Sequence, residues 1–274
     1  MSTGTDAGSE AATPERRRRR GRFDAILARL STEGAVGVAE IAEELNVSPA
    51  SIRRDLEVLE QRKLLVRTHG GAIATGVTYE LPLRYRAGHQ EQQKHAIAQV
   101  AAERVPADRA TVGLTGGTTT TEVARRLVEH PDLTVVTNAL NIASELVVRP
   151  NVKLLVTGGV ARTQSYELCG PFAEATLAGV NIDMAFIGVD GISVRGGLTT
   201  YQEVEAHTNA VMLRRAGRVV VTADGSKIGR STFARICGVD EVDELITDSS
   251  ADPAAVEALV QAGLRVTIAD RKPQ

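Results

Sequence analysis

The sequence lacks tryptophan and has few other aromatic residues, with four phenylalanines and four tyrosines among its 274 residues. Because hydrophobic residues still make up 43% of the chain, we expect a core built mainly from aliphatic side chains. The two cysteines, Cys169 and Cys237, lie far apart and lack the spacing of metal ligands. We therefore expect two reduced thiols rather than a disulfide, with no metal site and no cofactor.

Two kinds of localisation signal are also missing. No apolar run approaches the roughly 20 residues that a membrane-spanning helix needs. The first residues are polar and then rich in arginine, without the apolar segment of a secretory signal peptide. These absences predict a cytoplasmic protein with no membrane partner.

A strong excess of positive charge is missing as well. The chain has 32 Lys and Arg against 34 Asp and Glu, a formal net charge of −2 at pH 7. Binding to an acidic partner would therefore depend on local patches, of which the run from Arg16 to Arg20 is the most basic. We expect residues 1–21 to form a disordered basic arm, which either follows a phosphate backbone or only adds solubility.

The segment that begins at Ser48 has the pattern of a capped helix. The Ser48 side chain can accept a hydrogen bond from a backbone N–H one turn on, and Pro49 suits the first helical position. One face of this helix is apolar and comprises Ile52, Leu56 and Leu59. Arg53 and Arg54 then point away from that face. They either form an ordinary solvated face or read base edges and phosphates in a DNA major groove.

The surrounding pattern favours DNA. Residues 38–45 read as a short amphipathic helix, and residues 46–48 as a tight turn before the second helix, which is a helix-turn-helix. A first helix is predicted over residues 22–30, with Gly34 ending it.

A β-wing is predicted after the second helix. Residues 63–68 read as a strand, Gly70 and Gly71 permit a turn, and residues 72–74 return as a second strand. Arg67 and His69 on this wing would lie near the DNA backbone or minor groove, although His69 fits equally well as a turn residue without a DNA contact.

These motifs resemble the N-terminal domain of DeoR-type transcriptional regulators over residues 22–75. The matching residues are Val47, Ser48, Ser51, Ile52, Arg53, Arg54, Asp55, Leu56, Leu59, Glu60, and Arg67 through Ala72. Where the family usually has threonine this chain has Ser51, which keeps the hydroxyl. The resemblance implies a repressor that binds a double-stranded DNA operator through Ser48, Ser51, Arg53, Arg54, Arg67 and His69.

The rest of the chain alternates between strand and helix patterns, after a predicted linker over residues 76–89. Strands are predicted at 110–114, 133–137, 152–157, 184–189, 218–223, 244–247 and 265–269. Helices are predicted at 90–104, from the loop at 116–120 through 129, and at 140–148, 172–178, 203–216 and 253–261. Such alternation predicts an α/β domain over residues 90–274, with a Rossmann-like open parallel sheet covered by helices.

Polar groups recur where these strands end, which is where open α/β sheets bind ligands. The loop at residues 116–120 has glycines and threonines that could cradle a phosphate, or it is an ordinary capped turn. It has no Walker lysine and is not G-x-G-x-x-G, so nucleotide hydrolysis and dinucleotide binding are not indicated. Asp190 could bond a sugar hydroxyl, and Lys227 could meet an anion.

The resemblance to DeoR-type regulators continues through residue 270. Their C-terminal domain is similar to ribose-5-phosphate isomerase and typically binds a phosphorylated sugar that lowers DNA affinity. The resemblance implies effector-binding residues Gly117, Thr118, Thr119, Asn138, Gly159, Gly170, Asp190, Glu205 and Lys227. Two residues depart from the family pattern, Thr115 in place of aspartate and Asn209 in place of lysine. We therefore hypothesise an effector that differs from those of the best-known members.

Two classes of function remain open. A ligand-responsive repressor would need a homodimer or homotetramer to read a palindromic operator, and would be associated with the bacterial nucleoid when bound. Alternatively, Asp190, Glu205 and Lys227 could act as acid–base groups of a sugar-phosphate isomerase fused to a DNA-binding domain. The match to the regulators along the whole length favours the repressor, without catalytic residues.

Overall fold

The computed structural model describes residues 14–74 and 80–269. The chain divides into two compact units, Met1–Leu81 and Pro82–Gln274. Each unit has its own buried aliphatic side chains. No helix in the described part of the chain is long and apolar enough to cross a membrane.

The N-terminal unit is a helix-turn-helix with a small antiparallel sheet. Its described elements are α1 (Pro14–Glu33), β1 (Ala35–Gly37), α2 (Val38–Glu44), α3 (Pro49–Gln61), β2 (Val66–Arg67) and β3 (Gly71–Ile73). The sheet has the order β1-β3-β2, so the predicted two-stranded wing gains a third strand. Strand β1 was not predicted, because three residues after Gly34 are too short to show a period.

The predicted start of the second helix is confirmed. The Ser48 Oγ accepts a hydrogen bond from the Ser51 N–H at 3.2 Å, and Pro49 occupies the first turn of α3. Ile52, Leu56 and Leu59 are buried, as the period of the sequence requires. The turn before α3 contains Asn46 with φ 51°.

The predicted disordered arm is wrong for residues 14–21, which form the first turns of α1. Arginine is a good helix former, so a run of arginines does not by itself indicate disorder. Arg19 and Arg22 also contact Asp55 on α3, and Arg19 lies over the Phe23 ring with 5.3 Å to its centroid. Residues 1–13 lie outside the described part of the chain.

The second unit is built around a parallel sheet. Its strands are β4 (Ala110–Leu114), β5 (Leu133–Thr137), β6 (Val152–Val156), β7 (Val160–Ala161), β8 (Leu168–Cys169), β9 (Ile182–Ile187), β10 (Gly191–Ser193), β11 (Gly197–Thr200), β12 (Ala216–Thr222), β13 (Ala234–Cys237), β14 (Glu244–Asp248) and β15 (Arg265–Ala269). Its α-helices are α4 (Leu83–Arg86), α5 (Glu91–Ala102), α6 (Thr118–Leu127), α7 (Leu140–Leu146), α8 (Pro171–Ala178), α9 (Glu203–Arg214) and α10 (Pro253–Gln261).

Seven parallel strands form the central sheet in the order β15-β14-β12-β9-β4-β5-β6. Successive residues of β9 pack into two different hydrophobic clusters, with Phe186 in one and Ala185 and Ile187 in the other. Side chains of α5, α6 and α7 share the cluster of Phe186, and side chains of α8, α9 and α10 share the other. The sheet is therefore covered by helices on both faces, which confirms the predicted α/β fold.

Two small antiparallel sheets were not predicted. Strands β7 and β8 form a hairpin, and β10, β11 and β13 form a three-stranded sheet. These five strands have two to four residues each and show no clear period in the sequence. These additions matter because residues in or beside them, including Thr200 and Glu167, line the cavity described below.

The predicted linker over residues 76–89 is wrong for its second half. Residues 83–86 form the short helix α4, and the chain divides after Leu81 rather than at residue 90. Leu83 and Tyr85 are both buried, so this segment packs as part of the second unit. Residues 75–79 lie outside the described part of the chain.

Candidate functional site

The exposed face of α3 carries the two arginines that were predicted to read DNA. Arg53 and Arg54 are both exposed, opposite the buried side chains of the same helix. The Arg54 Nε donates a hydrogen bond to the Ala50 carbonyl at 3.3 Å. Ser48 and Ser51 lie at the start of the helix, with their Oγ atoms 3.0 Å apart. This end of α3 therefore presents two cations and two hydroxyls at a helix N-terminus.

The wing is tied to the end of α3. The Arg67 N–H donates to Glu60 Oε1 at 3.0 Å, and Arg67 Nε lies 3.4 Å from Glu60 Oε2. The charge of Arg67 is thus partly offset, although its side chain is exposed. His69 is exposed in the turn between β2 and β3. The six residues predicted to contact DNA therefore lie on α3 and on the wing of the same unit.

A buried carboxylate, whose pairing was not predicted from the sequence, joins α3 to α1. The Asp55 side chain is 3% exposed and accepts hydrogen bonds from Arg22 Nε at 2.6 Å and Arg19 Nε at 3.3 Å. A buried carboxylate is costly unless it is paired, so these arginines make its position on the inner face of α3 tolerable. The signal in the sequence was an aspartate on the apolar face, one turn before Leu59.

A polar cavity lies where strands of the second unit end, beyond the carboxyl ends of β4 and β9. It is lined by Arg86, Gly116, Gly117, Ser165, Glu167, Gly188, Val189, Asp190, Thr200, Glu205 and Asn209. Its empty volume is about 320 Å³ and includes open solvent.

Glycine allows the close approach of the two strand ends. A Cβ on Gly188 would lie 2.4 Å from the Gly116 carbonyl oxygen, and Gly117 adopts φ 140°. The Gly188 N–H donates to the Thr115 Oγ1 at 2.8 Å. Thr115, which departs from the family pattern, is therefore fully buried and supports the backbone of the cavity wall instead of lining it.

Glu167 is a buried acid of the cavity. It is 3% exposed and accepts a hydrogen bond from the Gly116 N–H at 2.6 Å. Burial raises the pKa of Glu167 to about 8, and the nearby carboxylate of Glu205 adds to this rise. The Asn209 amide lies 3.4 Å from both oxygens of Glu167. Burial therefore favours the protonated form of Glu167.

Two further carboxylates are paired with arginines. Arg86 Nη1 donates to Asp190 Oδ1 at 2.7 Å, and Arg162 Nη1 contacts Glu205 Oε1. The Thr200 Oγ1 lies 3.0 Å from Asp190 Oδ2 and 2.9 Å from Glu205 Oε2. Because a hydroxyl has one proton, Thr200 can donate to only one of these oxygens at a time.

Three of the predicted effector residues line the cavity, namely Gly117, Asp190 and Glu205. Lys227 lies beside it, with its Nζ 3.9 Å from Asp190 Oδ1, and burial lowers the pKa of Lys227. Asn138 does not line the cavity but lies behind Asn209, which does; the Asn138 Nδ2 donates a hydrogen bond to Asn209 Oδ1 at 3.1 Å.

The other four predicted effector residues do not line the cavity. Gly159 and Gly170 adopt positive φ on either side of the hairpin β7–β8. Thr118 and Thr119 form the first turn of α6, where Thr119 is buried. The Gly117 backbone, rather than these threonine side chains, therefore borders the cavity.

Arg86, Ser165, Glu167 and Thr200 line the cavity but were not predicted. Arg86 lies in what the sequence suggested was a linker, and the other three lie in or beside short strands. The one available signal was their polarity next to apolar positions, which is too common to be diagnostic.

Three buried groups could in principle hold a metal ion. Ligand atoms of Glu167, Cys169 and Glu205 all lie within 4.8 Å of one another. However, Glu205 already pairs with the Arg162 guanidinium, and burial raises the pKa of the Cys169 thiol above its usual value. This cluster is a poor metal site, because a guanidinium lies beside Glu205 and because Glu167 and Cys169 favour their protonated forms.

Comparison with known proteins agrees with this geometry. The family model for the DeoR-like helix-turn-helix domain matches residues 22–76, and the model for the DeoR C terminal sensor domain matches residues 89–249. A putative aga operon transcriptional repressor from Escherichia coli O157:H7 is 35% identical, over 96% of this chain and 98% of its own. The glycerol-3-phosphate regulon repressor of Escherichia coli K12 is 29% identical, over 87% of this chain and 94% of its own.

Among solved structures, ribose 5-phosphate isomerase A from Methanocaldococcus jannaschii covers 50% of this chain and 54% of its own, at 19% identity and a TM-score of 0.38. Nothing about activity follows from such low structural similarity. The two family models together cover most of the chain, and the relative from Escherichia coli O157:H7 spans nearly all of it. The chain therefore belongs to the DeoR family of helix-turn-helix transcriptional regulators.

Proposed function

We propose that this regulator represses carbohydrate-metabolism genes and releases its operator when a phosphorylated sugar binds the second unit. The observation that carries the proposal is the combination of an arginine-bearing helix-turn-helix with a cavity rich in hydroxyl-binding and anion-binding groups. The names of the two relatives from Escherichia coli, one of an aga operon and one of a glycerol-3-phosphate regulon, support the same class of target.

In this proposal α3 enters the major groove. Arg53 and Arg54 contact base edges or phosphates there, and Ser48 and Ser51 contact the backbone at the helix N-terminus. Arg67 and His69 on the wing contact the neighbouring phosphates or minor groove. Since one such unit reads only a half-site, the repressor acts as a homodimer or homotetramer on a palindromic operator, at the nucleoid in the cytoplasm.

The chemistry of the cavity supports a sugar phosphate as its ligand. Carboxylates such as Asp190 and Glu205 accept hydrogen bonds from sugar hydroxyls. The Gly117 backbone at the start of α6, together with Arg86 and Lys227, suits an anion. The effector must bind the DNA-incompetent state more tightly, because only a difference in affinity shifts the equilibrium.

We propose further that the second unit does not catalyse isomerisation. Asp190 and Glu205, which would act as acid–base groups, are each held in an ion pair with an arginine. Exchange of the C2 proton of ribose 5-phosphate in heavy water tests this directly. Solvent deuterium appearing at C2 at a rate proportional to protein concentration would show that the unit is an enzyme.

Binding experiments on the full chain test the proposal as a whole. DNA from upstream of its own gene would be titrated by fluorescence anisotropy, and the protein would be screened by thermal shift against sugar phosphates and the unphosphorylated sugars. A ligand that binds only the folded state adds about 2.7 kcal/mol of stability at a hundredfold excess over its Kd. We expect a shift with a phosphorylated sugar alone; shifts with neither class, or equally with both, would argue against the proposed effector.

A further inference from the structure

The segment that joins the two units in the chain is packed against the second unit. The Leu83 N–H donates to the Gln164 carbonyl at 2.7 Å, and Leu83 and Tyr85 are 5% and 6% exposed. The segment begins at Pro82, directly after the last residue of the DNA-binding unit. Its conformation is therefore set by contacts within the ligand-binding unit.

A buried lysine fixes the backbone of this segment. Lys94 on α5 is 2% exposed, and its Nζ donates to the carbonyl oxygens of Arg86, at 2.7 Å, and His89. Burial lowers the pKa of Lys94 to about 8, so the ammonium group is still mostly charged at pH 7. Its charged hydrogen bonds hold the main chain of Arg86 firmly.

The Arg86 side chain leaves this fixed backbone and enters the cavity. Its side chain is 18% exposed, and its Nη1 donates to Asp190 Oδ1 at 2.7 Å. The same carboxylate oxygen lies 3.9 Å from Lys227 Nζ. Two basic side chains thus converge on one carboxylate, and a second anion in the cavity would be attracted to both.

We propose that Arg86 is a binding residue for the anionic group of the cavity's ligand, and that it transmits occupancy of the cavity to the segment at residues 82–90. This inference rests on the proposed function. A bound phosphate has to share the guanidinium with Asp190 or take it over, since both are acceptors for the same planar donors. Because the Arg86 main chain is held by Lys94, any movement of its side chain strains the segment that leads back to the DNA-binding unit.

The binding role is tested with Arg86→Ala in the full chain. Arg84→Ala is the matched control, because Arg84 lies on the same short helix but stacks over Tyr85, 4.9 Å from the ring centroid, and does not line the cavity. Probes are glycerol 3-phosphate, ribose 5-phosphate and inorganic phosphate, with glycerol and ribose as uncharged references. We expect Arg86→Ala to weaken binding of every anion that the wild type binds by about tenfold or more. Arg84→Ala should bind like the wild type.

Arg86→Lys separates a loss of binding from a loss of folding, because it keeps the positive charge but lacks the planar guanidinium group. It should fall between wild type and Arg86→Ala in anion affinity, with an unchanged circular dichroism spectrum. Equal anion affinity of wild type and Arg86→Ala would overturn the binding role.

Hydrogen exchange tests the transmission. In the wild type, a saturating anion should alter amide exchange over residues 82–93 and lower the affinity for upstream DNA. In Arg86→Ala at saturation, both responses should be lost. If they persist unchanged, Arg86 does not transmit occupancy. If the wild type binds DNA but responds to none of the three anions, the proposed effector class is wrong, and so is this role of Arg86. If the wild type responds to an anion and the Arg86 variants respond equally, only the role of Arg86 is wrong.

Discussion

Arg22 Nε lies 2.6 Å from Asp55 Oδ2, and this ion pair joins the first helix to the helix that carries Arg53 and Arg54. Asp55 is buried, and it immediately follows the two exposed arginines in the chain. The orientation of the face that we propose reads DNA therefore depends on a contact made from the inner side of the same helix.

Asp55→Ala should lower both stability and DNA affinity. It leaves Arg22 without its buried partner, and because Arg19 and Arg22 are partly exposed we expect a loss of about 1–3 kcal/mol rather than the larger cost of a fully buried pair. Urea unfolding and anisotropy on upstream DNA measure the two effects. Glu57→Ala, which removes an exposed acid from the same helix, is the control and should change stability little.

Arg53→Ala and Arg54→Ala should each weaken specific DNA binding while leaving the fold intact. Each base-edge contact is worth about 1–3 kcal/mol, or roughly 5- to 150-fold in affinity. The measurement compares upstream DNA with an unrelated duplex at two salt concentrations, and Arg149→Ala, an exposed arginine of the second unit, serves as control. A collapse of the circular dichroism spectrum would mean that these arginines are structural.

Glu167→Gln should remove a pH dependence of stability. The pKa of Glu167 is raised from 4.5 to about 8 in the fold, so between these values the folded state holds a proton that the unfolded state has lost. Stability from this group is complete below about pH 4.5 and declines as the pH rises to about 8, with a slope of up to about 1.4 kcal/mol per pH unit. Thermal or urea unfolding of both proteins from pH 5 to pH 8.5 checks this. If the difference in unfolding stability between wild type and Glu167→Gln does not change with pH, the pKa of Glu167 is not raised in the fold.

Gly117→Ala should impair ligand binding more than Thr118→Ala. Gly117 borders the cavity at φ 140°, where a Cβ is strained and would lie 3.0 Å from Thr120 Oγ1, whereas Thr118 does not line the cavity. Thermal shift with ribose 5-phosphate and glycerol 3-phosphate compares the two variants. Loss of the response in Thr118→Ala alone would show that the threonine hydroxyl, as the sequence motif suggested, is the anion ligand.

Much of the fold followed from the sequence because long elements carry a clear period. Helix α3 and its cap, and the seven strands of the parallel sheet, were predicted to within a few residues. The predictions for Pro253–Gln261 and Arg265–Ala269 coincide with the observed elements. Strands β1, β7, β8, β10, β11 and β13 were missed, since each has at most four residues, whereas the short wing strands β2 and β3 were predicted with the help of the Gly70-Gly71 turn between them.

The cavity was predicted less completely, because its residues meet only through tertiary contacts. Gly117, Asp190 and Glu205 stood next to recognisable strands or helices, and they line the cavity. Glu167 lies 51 residues from Gly116 along the chain and yet accepts its N–H. Arg86 lies 104 residues from Asp190. No periodic pattern connects residues at such separations.

The most direct test of the account is the affinity of the full chain for upstream DNA, measured by anisotropy with and without sugar phosphates. We predict specific binding that is weaker in Arg53→Ala and in Arg54→Ala. This binding also weakens when a phosphorylated sugar, but not its unphosphorylated form, is added. DNA binding that no sugar phosphate alters, although one of them binds and stabilises the protein, would contradict the central claim that the cavity controls the operator.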